Sequence, residues 1–152
     1  MNRPIPDGLY VLVHAASRKV LDVPGGGWDN GAPVSVWERL GPQGSPGQQW
    51  TVAFDPALAT YTLRRPDAEK FLDVVGGSRE GGAAVQVWEG THSDAQRWRF
   101  EPRGEAGRFA LVNAGSGLLL TVAEDAGDGA AVQQSREVPG SGGQQWEPVA
   151  VG

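Results

Sequence analysis

Short runs in which apolar and polar residues alternate recur along the whole chain. Val34-Ser35-Val36-Trp37 and Val85-Gln86-Val87-Trp88 are two of them. Such runs are rich in β-branched and aromatic residues, and clusters of Gly, Asn, Asp, Ser and Pro separate them, which is typical of strands joined by turns. No segment shows a sustained 3.6-residue period with helix caps. The pattern therefore predicts an all-β fold with almost no helix.

The same succession of runs occurs three times. A Gln-x-Trp tripeptide closes each repeat, at Gln48-Gln49-Trp50, Gln96-Arg97-Trp98 and Gln144-Gln145-Trp146. Two equal intervals of 48 residues separate these tripeptides, and a constant period in this range indicates a repeat architecture. We place the repeats at approximately residues 7–54, 58–102 and 107–149 of a single domain, 1–152. Four runs in each repeat predict about twelve strands, and closing them into a threefold barrel removes most free strand edges.

Strand alternation predicts where the side chains of the first two repeats point. Successive residues of a strand face opposite sides, so inward valines place Trp37 and Trp88 on the outside. The same parity places Asp22 and Asp73 on the outside. Each of these repeats is thus expected to present a carboxylate and an indole on its outer surface. The alternative is that they are ordinary half-buried strand residues and turn-side acids.

An indole beside a carboxylate suits a saccharide. The C–H face of a pyranose can lie on the ring, and the ionised carboxylate can accept strong hydrogen bonds from neighbouring hydroxyls. Gln86 adds an amide that both donates and accepts. In repeat three Thr121 and Ser135 stand at the corresponding positions. We therefore expect two saccharide sites at most.

The other tryptophans form a second group. Trp50, Trp98 and Trp146 are equivalent by the repeat and are expected to pack in the core. The glutamines two residues before them are expected to pin turns or to hold the nearby Asp side chain. Trp28 has no counterpart in the other repeats, and its indole either extends the repeat-one surface or folds back over its own loop.

Composition narrows the functional classes. The net charge is −5 and no basic run is interleaved with aromatic residues, which argues against a nucleic-acid partner. The chain has no cysteine, so disulfides and Cys-ligated metals are excluded. The sequence contains no apolar stretch of 18 residues, so it predicts no membrane insertion. No leader is seen, so a cytoplasmic location is the default, although a leader that had been removed would leave the same sequence.

The sequence contains no recognisable set of catalytic residues. The two histidines, His14 and His92, are expected to be polar loop residues. No set of His, Asp and Glu has metal-ligand spacing, and no catalytic triad or phosphate-binding loop can be identified. We therefore expect that the protein binds no metal and no cofactor and is not an enzyme.

The three Gln-x-Trp motifs, in phase with the repeated strands, resemble the ricin-B-type (R-type) lectin family. Ile5-Pro6-Asp7-Gly8-Leu9-Tyr10, Leu21-Asp22-Val23 and the Asn30-Gly31 turn are similar to fungal members. The resemblance covers about residues 7 to 149. It implies a β-trefoil and a non-enzymatic lectin that binds galactose- or N-acetylgalactosamine-type glycans through shallow, multivalent sites.

The resemblance also implies site residues. In repeat one they are Asp22, Gly25, Ser35, Trp37 and Gln48, and in repeat two they are Asp73, Gly76, Gln86, Trp88 and Gln96. The family's Asn before the Gln-x-Trp glutamine is absent, and Gly47 and Ala95 stand in its place. The main rival function is a protein-binding trefoil, such as a protease inhibitor acting through loop 40–47. A binding module of a larger secreted enzyme is a third candidate, and a second copy of the chain is a further candidate partner.

Overall fold

The computed structural model of the chain describes residues 3–26 and 29–152. Within these residues the chain forms thirteen antiparallel strands and no α-helix. The strands are β1 (Gly8–His14), β2 (Val20–Asp22), β3 (Ser35–Trp37), β4 (Trp50–Asp55), β5 (Thr60–Arg64), β6 (Lys70–Val74), β7 (Val85–Glu89), β8 (Trp98–Pro102), β9 (Phe109–Asn113), β10 (Leu119–Thr121), β11 (Ala130–Ala131), β12 (Gln133–Ser135) and β13 (Trp146–Ala150). Three-residue 3₁₀ turns lie at Pro24–Gly26, Pro46–Gln48, Val75–Gly77, Asp94–Gln96 and Gly142–Gln144.

Six strands close a barrel. Neighbours pair in the order β1, β4, β5, β8, β9, β13 and back to β1. Each repeat adds one hairpin, formed by β2–β3, β6–β7 or β10–β12, which is joined to the first strand of its own repeat. A six-stranded barrel with three hairpins is a β-trefoil, so the predicted all-β fold is confirmed.

The strand count differs from the predicted twelve because of β11. This two-residue strand of repeat three pairs with β3 of repeat one, through Ala131 and Ser35. The equivalent contacts between the other repeats are single bridges, Pro33 to Gln86 and Ala84 to Gln133. The extra strand is therefore a slightly longer version of a contact that all three hairpins make. Together the three contacts link the hairpins in a ring.

The three Gln-x-Trp tryptophans lie in the core without exposed surface, as predicted. Each indole Nε1–H donates a 3.1 Å hydrogen bond to a backbone carbonyl, from Trp50, Trp98 and Trp146 to Leu21, Leu72 and Leu120 respectively. These leucines immediately precede Asp22, Asp73 and Thr121. The core tryptophan of each repeat thus fixes the strand that carries the site position.

A buried polar residue lies at the end of the first strand of every repeat: His14 and Asn113 are the last residues of β1 and β9, and Arg65 directly follows β5. Its backbone N–H donates to the carbonyl five residues later, at Lys19, Lys70 or Leu118. The expectation that His14 is a loop residue was therefore wrong: it ends β1, and its ring hydrogen-bonds Ser17 Oγ and the Gly143 carbonyl. Burial lowers the pKa of His14.

Candidate functional site

Two clefts lie beside the hairpins of the first two repeats. The repeat-one cleft, of about 550 Å³, is lined by Asp22 and Trp37 together with Val23, Pro24, Gly25, Leu40, Ser45, Pro46, Gly47 and Arg65. The repeat-two cleft, of about 660 Å³, is lined by Asp73, Gln86 and Trp88 together with Val75, Gly76, Gly77, Arg79, Thr91, Ser93, Asp94, Ala95, Asn113 and Gly115. In both repeats the structure brings the carboxylate and the indole to one cleft.

The strand register explains this pairing. Asp22 lies opposite Ser35, and Asp73 lies opposite Gln86. Each tryptophan is two residues further along the partner strand and points to the same side. Trp88 is 36% exposed, whereas Trp37 is partly buried.

The two carboxylates are less open than the sequence predicts. They face away from the valines of the core, but Asp22 is only 7% exposed and Asp73 only 6%. Strand parity determines which way a side chain points, while the loops folded over the hairpins determine how much water reaches it. The prediction of carboxylates on the outer surface is corrected accordingly: they lie at the bottom of the clefts.

Asp73 is held by two amides. Gln86 Nε2 donates to its Oδ1 at 3.1 Å, and Gln96 Nε2 donates to its Oδ2 at 2.8 Å. Burial raises the pKa of Asp73, and the two amide hydrogen bonds partly oppose that rise. A carboxylate has about four acceptor positions, so acceptor capacity remains for ligand hydroxyls.

Asp22 has a different environment. Burial raises the pKa of Asp22, and the positive charge of Arg65 is the largest effect in the opposite direction. Ser35, predicted as a site residue, is buried and does not line the cleft. Its Oγ makes no hydrogen bond in the described part of the chain. Repeat one therefore lacks the amide that Gln86 supplies in repeat two.

Gln48 and Gln96 lie beneath the clefts rather than in their walls. Both are buried. Gln96 Oε1 accepts from the Thr91 N–H at 3.0 Å, and its Nε2 donates to the Glu89 carbonyl as well as to Asp73. Gln48 bonds the backbone of loop 38–45 in the same manner. These contacts match the turn-pinning role, whereas a direct ligand contact would need access that the burial does not provide.

The predicted glycines line the clefts through their backbone. Gly25 has φ 69° and Gly76 has φ 64°, inside the 3₁₀ turns that follow β2 and β6. A Cβ at either position would meet nothing within 4 Å. The left-handed conformation, not space, favours glycine there. Trp28, the predicted extension of repeat one, lies outside the described residues.

The missing family asparagine has a steric explanation in repeat one. A Cβ at Gly47 would lie 2.9 Å from the Val23 carbonyl oxygen and 3.1 Å from Asp22 Oδ1. A side chain does not fit there without movement of the backbone. In repeat two, Ala95 lines the cleft and already carries a Cβ.

Several wall residues were not predicted from the sequence, and two of them, Arg65 and Asn113, come from a different repeat. Each belongs to the following repeat and reaches over the 3₁₀ turn of the preceding one. Asn113 Nδ2 donates to the Ala95 carbonyl at 3.1 Å. The available signal was a polar residue at the end of the first apolar run of each repeat, the position of His14.

In repeat three, the polar side chains at the equivalent position hydrogen-bond one another. Ser135 Oγ donates to Thr121 Oγ1 at 2.8 Å, and Gln144 Nε2 donates to both hydroxyls. Neither a carboxylate nor an indole stands at this position. The loop considered for protease inhibition, 40–47, supplies part of the wall of the repeat-one cleft.

Among residues 3–26 and 29–152, no group of three or more His, Cys, Asp or Glu is placed to hold a metal ion. A helix of the length and apolarity needed to cross a membrane is likewise not found in these two segments.

A family model for the ricin-type β-trefoil lectin domain-like proteins matches residues 2–88 and 94–152. The chain belongs to this family. The resemblance seen in its motifs is thereby confirmed, and the domain is a carbohydrate-binding lectin domain. Comparison with curated proteins gives no match.

Solved structures agree with this assignment. The designed threefold-symmetric protein ThreeFoil is 34% identical with a TM-score of 0.86, over 95% of this chain and 100% of its own. An exo-β-1,3-galactanase from Clostridium thermocellum is 29% identical with a TM-score of 0.85, over 99% of this chain but 31% of its own. The lectin domain thus spans about a third of that enzyme. A Polyporus squamosus lectin bound to the epitope Neu5Aca2-6Galb1-4GlcNAc shares the fold, at 17% identity and a TM-score of 0.75, over 95% of this chain and 49% of its own.

Proposed function

We propose that this lectin domain is non-enzymatic and recognises galactose- or N-acetylgalactosamine-type glycans through the repeat-one and repeat-two clefts. One observation carries the proposal: a carboxylate and an indole meet in one cleft at equivalent positions of two repeats. The equivalent position of repeat three has neither group.

The chemistry of the clefts suits a galactose-type sugar. Its axial hydroxyl leaves one ring face rich in C–H groups, which can lie on Trp37 or Trp88. Neighbouring hydroxyls on the other edge can donate to Asp22 or Asp73. In repeat two, Gln86 Nε2 already points to the carboxylate, and its Oε1 can accept from a sugar hydroxyl. Repeat two therefore offers the more complete set of polar partners.

Two clefts on one rigid barrel favour multivalent ligands. Open sugar sites of this kind are expected to bind with millimolar dissociation constants, about −4 kcal/mol per site. Engaging both clefts with one branched glycan raises the avidity about a hundredfold or more. The galactanase likeness covers only 31% of that enzyme's chain, so it supports a binding module and not the enzyme's activity.

A glycan array combined with calorimetry tests the proposal. We compare the wild type with Trp37→Ala, Trp88→Ala and the double variant, and use Leu58→Ala, an exposed residue outside both clefts, as the matched control. Each single variant is expected to lose the avidity gain on branched galactosides, and the double variant to lose all galactose binding. Galactoside binding that survives the double substitution would overturn the assignment. Protease inhibition without any sugar response would favour the rival.

A further inference from the structure

The outer face of the β6–β7 hairpin continues past the repeat-two cleft. On this face Asp73 pairs with Gln86, and the next pair is Phe71 with Trp88. Glu69 follows at the same parity, one residue before β6 begins. From Asp73 to Glu69 the face extends about 13 Å, at 3.3 Å per residue. Its order is carboxylate and amide, two aromatic rings, then a second carboxylate.

A second depression, the outer cleft, lies along this continuation. It has a volume of about 390 Å³, and its lining includes Glu69, Phe71, Glu89 and Arg97. Ser93 lines both the outer cleft and the repeat-two cleft. The two depressions are therefore neighbours, with the Phe71–Trp88 pair between them.

Gly90 leaves part of the Phe71 ring accessible. A Cβ at this position would lie 3.0 Å from Phe71 Cε1. The φ of Gly90 is not in the left-handed region, so what its lack of a side chain provides is space. Arg39 is the equivalent residue in repeat one.

Repeat one has no such continuation. Its hairpin ends in this direction at the Val20–Trp37 pair, whereas β6 and β7 continue by one further pair, Lys70 with Glu89. Val20, the counterpart of Phe71, is fully buried. The outer face of repeat one therefore ends at a single ring.

We propose that repeat two is an extended site for a linear oligosaccharide, with one sugar unit in the repeat-two cleft and the next on Phe71 in the outer cleft. This inference rests on the proposed sugar-binding function. The C–H face of the second unit packs on the Phe71 ring, and its hydroxyls donate to Glu69. The repeat-one cleft, by contrast, takes a single terminal unit.

The charges around the outer cleft favour a neutral sugar as the second unit. Three acidic residues belong to the lining of the outer cleft, Asp55, Glu69 and Glu89. Among the described residues of its lining, Arg97 is the single Lys or Arg, and it is paired with Asp94 at 3.0 Å. A uronate or sialate at this place would be repelled, which excludes anionic chains by like charge.

Calorimetry with two single variants, used as parent proteins, measures binding to each cleft separately. Trp37→Ala leaves repeat two intact, and Trp88→Ala leaves repeat one intact. Each is titrated with galactose and with a neutral galacto-trisaccharide, and the ratio of the two affinities is the readout. We expect a ratio of about ten or more in the Trp37→Ala protein, the equivalent of 1.4 kcal/mol. In the Trp88→Ala protein the ratio should stay below about two.

Two further variants of the Trp37→Ala protein test the residues. Phe71→Ala removes the ring, and Gly90→Arg covers it with the residue of repeat one while leaving the ring in place. Both should bring the ratio below about two, and near-native circular dichroism controls for folding. A ratio near one in the Trp37→Ala protein with normal galactose binding would refute only the extension, as would a ratio that survives both variants. Absence of galactose binding in both parents would refute the proposed function itself.

Discussion

Gln96 connects the stability of repeat two to its cleft, and Gln96→Leu tests this connection. The substitution keeps a side chain of similar size but removes three hydrogen bonds of 2.8–3.0 Å, to Thr91 N–H, the Glu89 carbonyl and Asp73. At about 1 kcal/mol for each bond, the free energy of unfolding falls by about 3 kcal/mol. At about 2–4 °C per kcal/mol in a domain of this size, Tm falls by about 6–12 °C.

The same substitution should weaken sugar binding in repeat two. Asp73 loses the Gln96 amide, one of the two bonds that lower its pKa. Without this bond a larger fraction of Asp73 is protonated at a given pH, and the protonated form cannot make charge-assisted hydrogen bonds to sugar hydroxyls. The carboxylate also loses the 2.8 Å contact that holds its Oδ2 in place. Differential scanning calorimetry gives the Tm change, and isothermal titration of the Trp37→Ala background with galactose gives the affinity change.

Gln144→Leu is the matched control. Gln144 is equally buried and bonds the Val138 N–H and the Arg136 carbonyl, but its repeat has no carboxylate to present. It should lower Tm by a similar amount and leave galactose affinity unchanged. A Tm loss below about 2 °C for Gln96→Leu would refute the reasoning on stability. Equal losses of sugar affinity in both variants would refute the reasoning on the cleft.

Two further predictions concern pH and the missing asparagine. Because burial raises the pKa of Asp73, galactose affinity in repeat two should fall as pH drops through that pKa, and Asp73→Asn should abolish this dependence in titrations across pH. The effect on stability has the opposite sign: the folded-state pKa lies above the unfolded value of 3.8, so the contribution of Asp73 to the free energy of unfolding declines as pH rises between the two. Gly47→Asn should cost about 1–3 kcal/mol, because its Cβ meets the Val23 carbonyl, whereas Ala95→Asn should stay within about 0.5 kcal/mol. Thermal unfolding compares the pair, and equal losses would contradict the steric explanation.

The local sequence pattern was sufficient to predict the barrel and the direction in which the site side chains point. A strand has a period of two, so inward valines at 34 and 36 or 85 and 87 oblige Trp37 and Trp88 to point outward. The constant interval between Gln-x-Trp motifs likewise predicts that Trp50, Trp98 and Trp146 share one environment. Those features depend only on residues close together in the chain and on the repetition itself.

Exposure and neighbours could not be predicted in this way, because they depend on segments far apart in the chain. The loops that cover Asp22 and Asp73 decide how much water reaches the carboxylates. Arg65 and Asn113 enter the clefts from the following repeat. The same holds for the outer cleft, where one extra pair of the β6–β7 hairpin and the missing side chain of Gly90 leave part of Phe71 accessible. The alternation of side chains along a strand is determined by adjacent residues. The burial of a group and the charge around it depend instead on all the segments that the folded barrel brings close to it.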